Sequence, residues 1–150
     1  MTLTVETSSI RKVDLKTLVS LGPNALSAIV QDYGVVYVTS ITRDGCSGCE
    51  EQKPLFKDLA VRLHGQNQGR MLFNNVHVVY QNADVSQSEQ AKRVLGHGSY
   101  PTYMINVRSH YGILEHYRAA YPKMEELERE ALNALELAEY YKGLALTGRN

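Results

Sequence analysis

The chain has two cysteines, and they stand three positions apart as Cys46-Ser47-Gly48-Cys49. Two thiols at this spacing suit thiol–disulfide exchange, in which a thiolate attacks a disulfide and a neighbouring thiol displaces the product. Two blander readings use the same residues. Half of a zinc site needs two more ligands, and the five histidines show no pairing of the H-x-x-x-H kind. Two inert cysteines at a helix start would pack well, because buried cysteine behaves as a small hydrophobe. The flanks favour the redox reading. The apolar, β-branched run Gly34–Ile41 comes before the pair and an amphipathic stretch follows it, so the thiols sit where a buried strand hands over to a helix.

The elements that position this pair can be read along the chain. Leu3-Thr4-Val5 reads as a short first strand. Apolar residues between Val13 and Asp32 recur at helical spacing, broken by Gly22-Pro23, which predicts two short helices or one bent there. Val35–Ile41 is too apolar for a half-exposed strand and is expected in the centre of a sheet. A loop at Thr42–Gly45 leads to a helix over about 46–64, with Leu55, Phe56, Leu59, Ala60 and Leu63 as its inward stripe and Pro54 expected to bend it. Gly65–Asn75 reads as a polar connection, long enough to be an insertion that offers a partner surface, and Val76–Tyr80 as the next strand. Asn82-Ala83-Asp84 is a turn, and Ser86-x-x-Glu89 is a capping-box signature opening a helix with Ala91, Val94 and Leu95 inward. Thr102–Val107 and Ile113–Tyr117 form a hairpin. A last helix runs over about 123–142, with Met124, Leu127, Ala131, Leu135 and Ala138 inward and Gly143 as its stop. The resulting order is β-α-β-α-β-α-β-β-α.

A chain of 150 residues with 43% apolar content can bury one core without disulfide staples, which predicts a single domain over 1–150. Within it, 1–33 is an N-terminal strand and helix region, 34–142 the core carrying the thiols, and 143–150 a tail. Sixteen basic and sixteen acidic residues cancel, and no basic tract is present, so nucleic acid and anionic membrane are not expected partners. No apolar run approaches the roughly 20 residues that span a bilayer. Met1–Thr7 lacks the basic-then-apolar pattern of a secretory signal, so the cytoplasm is the expected setting; there a lone C-x-x-C is catalytic or metal-binding rather than structural.

The strand Val35–Ile41, the Cys46-Ser47-Gly48-Cys49 motif, Pro54 and Tyr100-Pro101-Thr102 ahead of a strand and hairpin together resemble the thioredoxin family. The resemblance covers residues 34–142 well and 1–33 loosely. It implies an α/β, thioredoxin-like three-layer fold with a central mixed sheet of four or five strands flanked by helices. It also implies that Pro101 is in cis and, with Tyr100, forms a shelf for an extended substrate segment beside the leading cysteine. Cys46 at the first helical turn would be the nucleophile, its thiolate favoured by unpaired N–H groups and the helix dipole, and Cys49 the resolving thiol. Arg43, Asp44, Gly45, Ser47 and Gly48 make up the active-site loop. The small Ser47 and Gly48 should leave the Cys46 sulfur accessible. Arg43 and Asp44 are read mainly as solvated loop charges, His97 as a surface loop residue, and Tyr103 as strand packing.

Two departures matter. Gly45 and Ser47-Gly48 replace the aromatic residue and Gly-Pro of the best-known members, which shifts the redox potential. The family's buried acid maps onto Ser40, which cannot serve as a general base, so either Cys49 is activated by water or another group, with Asp44 and Glu50 as candidates, or turnover is slower. The expectation is a thiol–disulfide oxidoreductase acting on protein disulfides, supplied with electrons by a partner reductase, with no metal and no organic cofactor. The alternative is a thioredoxin-fold interaction module with little turnover. The last helix is expected to pack on the sheet rather than mediate self-association, which favours a monomer.

Overall fold

The computed structural model describes residues 9–80 and 85–147. The expected strand at Leu3–Val5, the turn at Asn82–Asp84 and the end of the tail lie outside the described residues. The elements are β1 (Ile10–Lys12), α1 (Leu15–Leu21), a 3-10 segment (Gly22–Ala28), β2 (Val36–Arg43), α2 (Ser47–Gln66), β3 (Met71–Val78), α3 (Ser86–Leu95), β4 (Thr102–Ser109), β5 (Gly112–Ala120) and α4 (Met124–Thr147). The strands form one mixed sheet in the order β1-β3-β2-β4-β5. The first two pairings are parallel and the last two antiparallel.

The sheet is the middle of three layers because both of its faces are apolar. On one side Val36, Val38, Met71, Phe73 and Ile105 pack against Phe56, Leu59 and Leu63 of α2 and Leu127, Ala131 and Ala138 of α4. On the other, Tyr37, Ile41, Val76 and Met104 pack against α1, the 3-10 segment and α3 through Leu18, Ala25 and Leu95. Burial on both faces is why β2 lacks an alternating pattern. The chain changes helix type at Gly22, where φ is +56°, and Pro23 opens the 3-10 segment. The last helix packs on the sheet as expected, and Arg62 of α2 bridges to Glu128 of α4 with two bonds of 2.9 and 3.0 Å.

Several boundaries differ from the sequence reading. The stretch 65–75 is not an insertion: α2 continues to Gln66, β3 already begins at Met71, and only a short turn lies between them. Part of the polar look of this segment comes from the turn at 67–70 and part from Asn74 and Asn75, whose amides are engaged with neighbouring strands. Arg11 donates to Asn74 Oδ1 at 2.7 Å, and Asn75 donates to Ser40 Oγ at 2.9 Å. Leu55 does not belong to the inward stripe and is 51% exposed, while Gln52 one turn earlier is buried and donates to the Pro122 carbonyl at 2.7 Å. Helix α2 runs unbroken through Pro54. Val85, not Ser86, occupies the N-cap of α3. Helix α4 passes Gly143 and extends to Thr147, the last described residue, the helical pattern outweighing one glycine.

Leu63→Ala should lower the unfolding free energy by about 3 kcal/mol, because a fully buried side chain between α2 and the sheet is replaced by a cavity. Leu55→Ala should change it by less than about 0.5 kcal/mol. Paired urea melts check both.

Candidate active site

The site lies at the C-terminal edge of the parallel strands β2 and β3, where α2 begins. Gly45 makes the reversal from strand to helix with φ at +66°, a conformation an L side chain takes up only with strain, so an aromatic residue would not sit there easily. Cys46 is the N-cap of α2 in extended conformation, and its sulfur accepts the Cys49 N–H at 3.1 Å. The helix thus delivers one of its unpaired donors to the leading sulfur. Cys46 and Cys49 are joined as a disulfide, with their Cα atoms 5.2 Å apart.

The Tyr100–Pro101 peptide bond is cis, and Pro101 lies against the cysteine loop: a Cβ placed on Gly48 would come within 3.3 Å of Pro101 Cδ. The same Cβ would stand 3.2 Å from the ring of Tyr121, a residue the sequence reading passed over. Tyr121 has φ at +49°, donates its N–H to the Pro101 carbonyl at 3.0 Å and its hydroxyl to Glu51 at 2.5 Å. It closes the side of the site formed by Gly48 and Pro101. No local pattern announces it, since it is a loop tyrosine whose role comes from residues 20 and 73 positions away. Cys46 is only 6% exposed and Cys49 4%, so the small residues between them do not leave the leading sulfur open.

The loop charges are part-exposed and also engaged in specific contacts. Arg43 donates to the Asp44 carbonyl at 2.8 Å and stacks on Tyr80 at 4.3 Å and on Tyr100 at 5.7 Å, bracing the Tyr-Pro loop. The Tyr100 hydroxyl is 2.9 Å from that of Ser88. Asp44 accepts from the Tyr80 N–H at 3.0 Å and lies 2.7 Å from His77 Nε2. The His77 bond, aided by the Tyr80 N–H, holds the Asp44 carboxyl below its ordinary range. Glu50 follows Cys49 in the first turn of α2, on the wall of a cavity beneath the disulfide.

That cavity, of about 340 Å³, reaches Cys49, Ser40, Asn75, His77 and Tyr103. Ser40 is buried at the position of the missing acid, with its hydroxyl near Asn75. Tyr103 packs on Phe56 as expected, and burial pushes its hydroxyl well up. His97 is not on the surface. It is 5% exposed, lies edge-on to Tyr100 at 4.8 Å, and neither ring nitrogen has a partner among the described residues. Burial, with Arg118 and Lys92 nearby, lowers its pKa to about 4. Among the described residues no group of three or more His, Cys, Asp or Glu is arranged to hold a metal.

The sequence matches no family model and no curated protein. Solved structures do match. A Trichomonas vaginalis thioredoxin aligns with a TM-score of 0.61 at 13% identity, over 83% of this chain and 96% of that one. The Malassezia sympodialis thioredoxin Mala s 13 aligns at 0.56 and 14%, over 84% and 90%. A thioredoxin f2 solved in complex with ferredoxin:thioredoxin reductase aligns at 0.52 and 19%, over 87% and 94%. The chain has the thioredoxin fold, with its cysteine pair at the C-x-x-C spacing of a thioredoxin-like site.

Two outcomes test this geometry. Gly48→Ala should destabilise the oxidised protein by about 1 kcal/mol, and by clearly less when Tyr121→Ala is already present and only the Pro101 contact remains, as a double-mutant cycle in urea would show. His97 has a folded-state pKa below its unfolded value of 6.5, so the stability it contributes is present above pH 6.5 and lost as pH falls towards 4. The wild type should lose up to about 3 kcal/mol more over that window than His97→Leu.

Proposed function

We propose that this protein is a thiol–disulfide oxidoreductase acting on protein disulfides. Cys46 is the attacking thiolate, Cys49 the resolving thiol, and Tyr100 with cis-Pro101 the shelf that receives an extended substrate segment by backbone pairing. The observation that carries this reading is the placement of Cys46 at the α2 N-cap, receiving the Cys49 N–H, with Pro101 directly across Gly48. A thiolate formed there keeps that hydrogen bond and gains the positive end of a 20-residue helix. Arg43, Asp44, Gly45, Ser47 and Gly48 shape the loop: Gly45 turns the chain, and Arg43 braces Tyr100.

Reduction of a substrate leaves the Cys46–Cys49 disulfide, which must be reopened. The thioredoxin f2 that shares the fold was solved with a reductase, and a partner reductase is the proposed electron source here. The cytoplasm, where thiols are kept reduced, is the proposed setting, in keeping with cysteines confined to one C-x-x-C. A second reading, an interaction module with little turnover, is favoured by the near-complete burial of Cys46 and by serine at position 40.

Insulin reduction by dithiothreitol separates the two. The wild type should accelerate it, Cys46→Ser should remove the acceleration, and Cys49→Ser, reduced beforehand and mixed with insulin in the absence of dithiothreitol, should accumulate a mixed disulfide visible by mass spectrometry. A wild type no faster than Cys46→Ser would favour the interaction module.

A further inference from the structure

Side chains alternate along a strand, so the α2-facing column of β2 is Val36, Val38, Ser40 and Thr42, and that of β3 is Met71, Phe73, Asn75 and His77. Two apolar rows lie under the body of α2, and two polar rows, Ser40 beside Asn75 and Thr42 beside His77, lie under its first turn. These polar residues line the cavity of about 340 Å³ that reaches Cys49. Its size and lining suit several waters.

The polar rows form one connected chain. Asn75 Nδ2 donates to Ser40 Oγ at 2.9 Å and to Thr42 Oγ1 at 3.0 Å. Thr42 Oγ1 is 2.9 Å from His77 Nδ1, and His77 Nε2 is 2.7 Å from Asp44 Oδ1. An ionised carboxylate only accepts, so Nε2 carries the hydrogen and the Nδ1 lone pair accepts the Thr42 hydroxyl. Asp44 is itself fixed by the Tyr80 N–H. Serine at position 40 therefore opens a path to a neighbouring imidazole that a carboxyl there would have made unnecessary.

We propose that His77, reached from Cys49 through cavity water and the Thr42 hydroxyl, is the proton acceptor for the resolving thiol; this rests on the oxidoreductase reading above. In the mixed disulfide, the Cys49 thiol gives its proton to a cavity water. That water passes one to Thr42 Oγ1 as Thr42 gives its own to His77 Nδ1. The Cys49 thiolate attacks the Cys46 sulfur, the Cys46–Cys49 bond forms, and the bond from Cys46 to the substrate breaks. Its electron pair leaves on the substrate sulfur, which takes a proton from solvent, so the substrate is reduced and the dithiol oxidised. The imidazolium, held beside Asp44 and 40% exposed, returns its proton to bulk water. The other titratable groups on the cavity wall are Lys12 from β1, Glu50, Lys53 and Lys57 from α2, and Tyr103 from β4. The lysines favour a thiolate at Cys49 and oppose the imidazolium, and Glu50 does the reverse.

The reaction of the reduced protein with 5,5′-dithiobis(2-nitrobenzoate) reads the two steps separately, since attack by Cys46 and resolution by Cys49 each release one coloured thiolate. His77→Asn should leave the first release unchanged and slow the second at least about tenfold between pH 6 and 7. The rise of the second rate with pH should move up by about one unit or more, towards the free-thiol value of about 8.5. Thr42→Val should behave like His77→Asn, and Thr42→Ser should restore the wild-type profile. A second release in His77→Asn or Thr42→Val with the wild-type rate and pH profile overturns the proposal while leaving the oxidoreductase reading intact. A first release in the wild type that is no faster, at the same pH, than the release by the remaining Cys49 thiol in Cys46→Ser overturns the oxidoreductase reading, and the proposal with it.

Discussion

The site depends on one meeting of elements: the N-terminus of α2 stands over the C-terminal ends of two parallel strands. A helix start has unpaired N–H donors, and a strand end has side chains alternating between faces. Placed together, they give Cys46 a backbone donor from above and Cys49 a polar floor from below. The apolar rows Val36–Met71 and Val38–Phe73 hold α2 in place by burial, which fixes the height of the cysteine turn above the sheet. The next two rows along the same strands carry hydroxyl, amide and imidazole groups, so the change from structural to chemical use takes one step of the strand repeat.

Around that junction the loops are held by a few specific contacts. Gly45 supplies the left-handed turn, Gln52 ties the first turns of α2 to the Pro122 carbonyl, and Tyr121 bonds both Pro101 and Glu51. Arg43 stacks on Tyr80 and Tyr100 rather than extending into solvent. These contacts place the cis-Pro101 loop and the cysteine turn against each other and leave little of the disulfide exposed. The surface beside the disulfide is therefore shaped as much by Tyr121 as by Tyr100.

What could be read from the sequence was whatever has a local period or a strong breaker. From β2 onward the element order, the buried β2 and the packing of α4 on the sheet, and before them the change of helix at Gly22-Pro23, follow from patterns within about twenty residues, whereas β1 at Ile10–Lys12 was not among the expected elements. The start of β3 was hidden because Asn74 and Asn75 look like loop residues until Arg11, Thr39, Ser40 and Thr42 are seen to engage their amides. Leu55 looked inward because hydrophobicity alone does not distinguish an exposed leucine, and buried Gln52 looked outward for the converse reason. Tyr121, His97 and the Thr42–His77–Asp44 chain were illegible because each depends on contacts between distant segments. The absence of an acid at position 40 was visible in the sequence; what lies next to that serine was not.

In the proposed reaction the leading sulfur is an unusually acidic nucleophile because it caps a helix. The most direct measurement is the rate of iodoacetamide alkylation of Cys46 in the reduced protein as a function of pH, with the modified residue identified by mass spectrometry. An apparent pKa at least about one unit below the free-cysteine value of 8.5 is the expected result. A value at or above 8.5, or no alkylation of Cys46 while the protein remains folded, would contradict it.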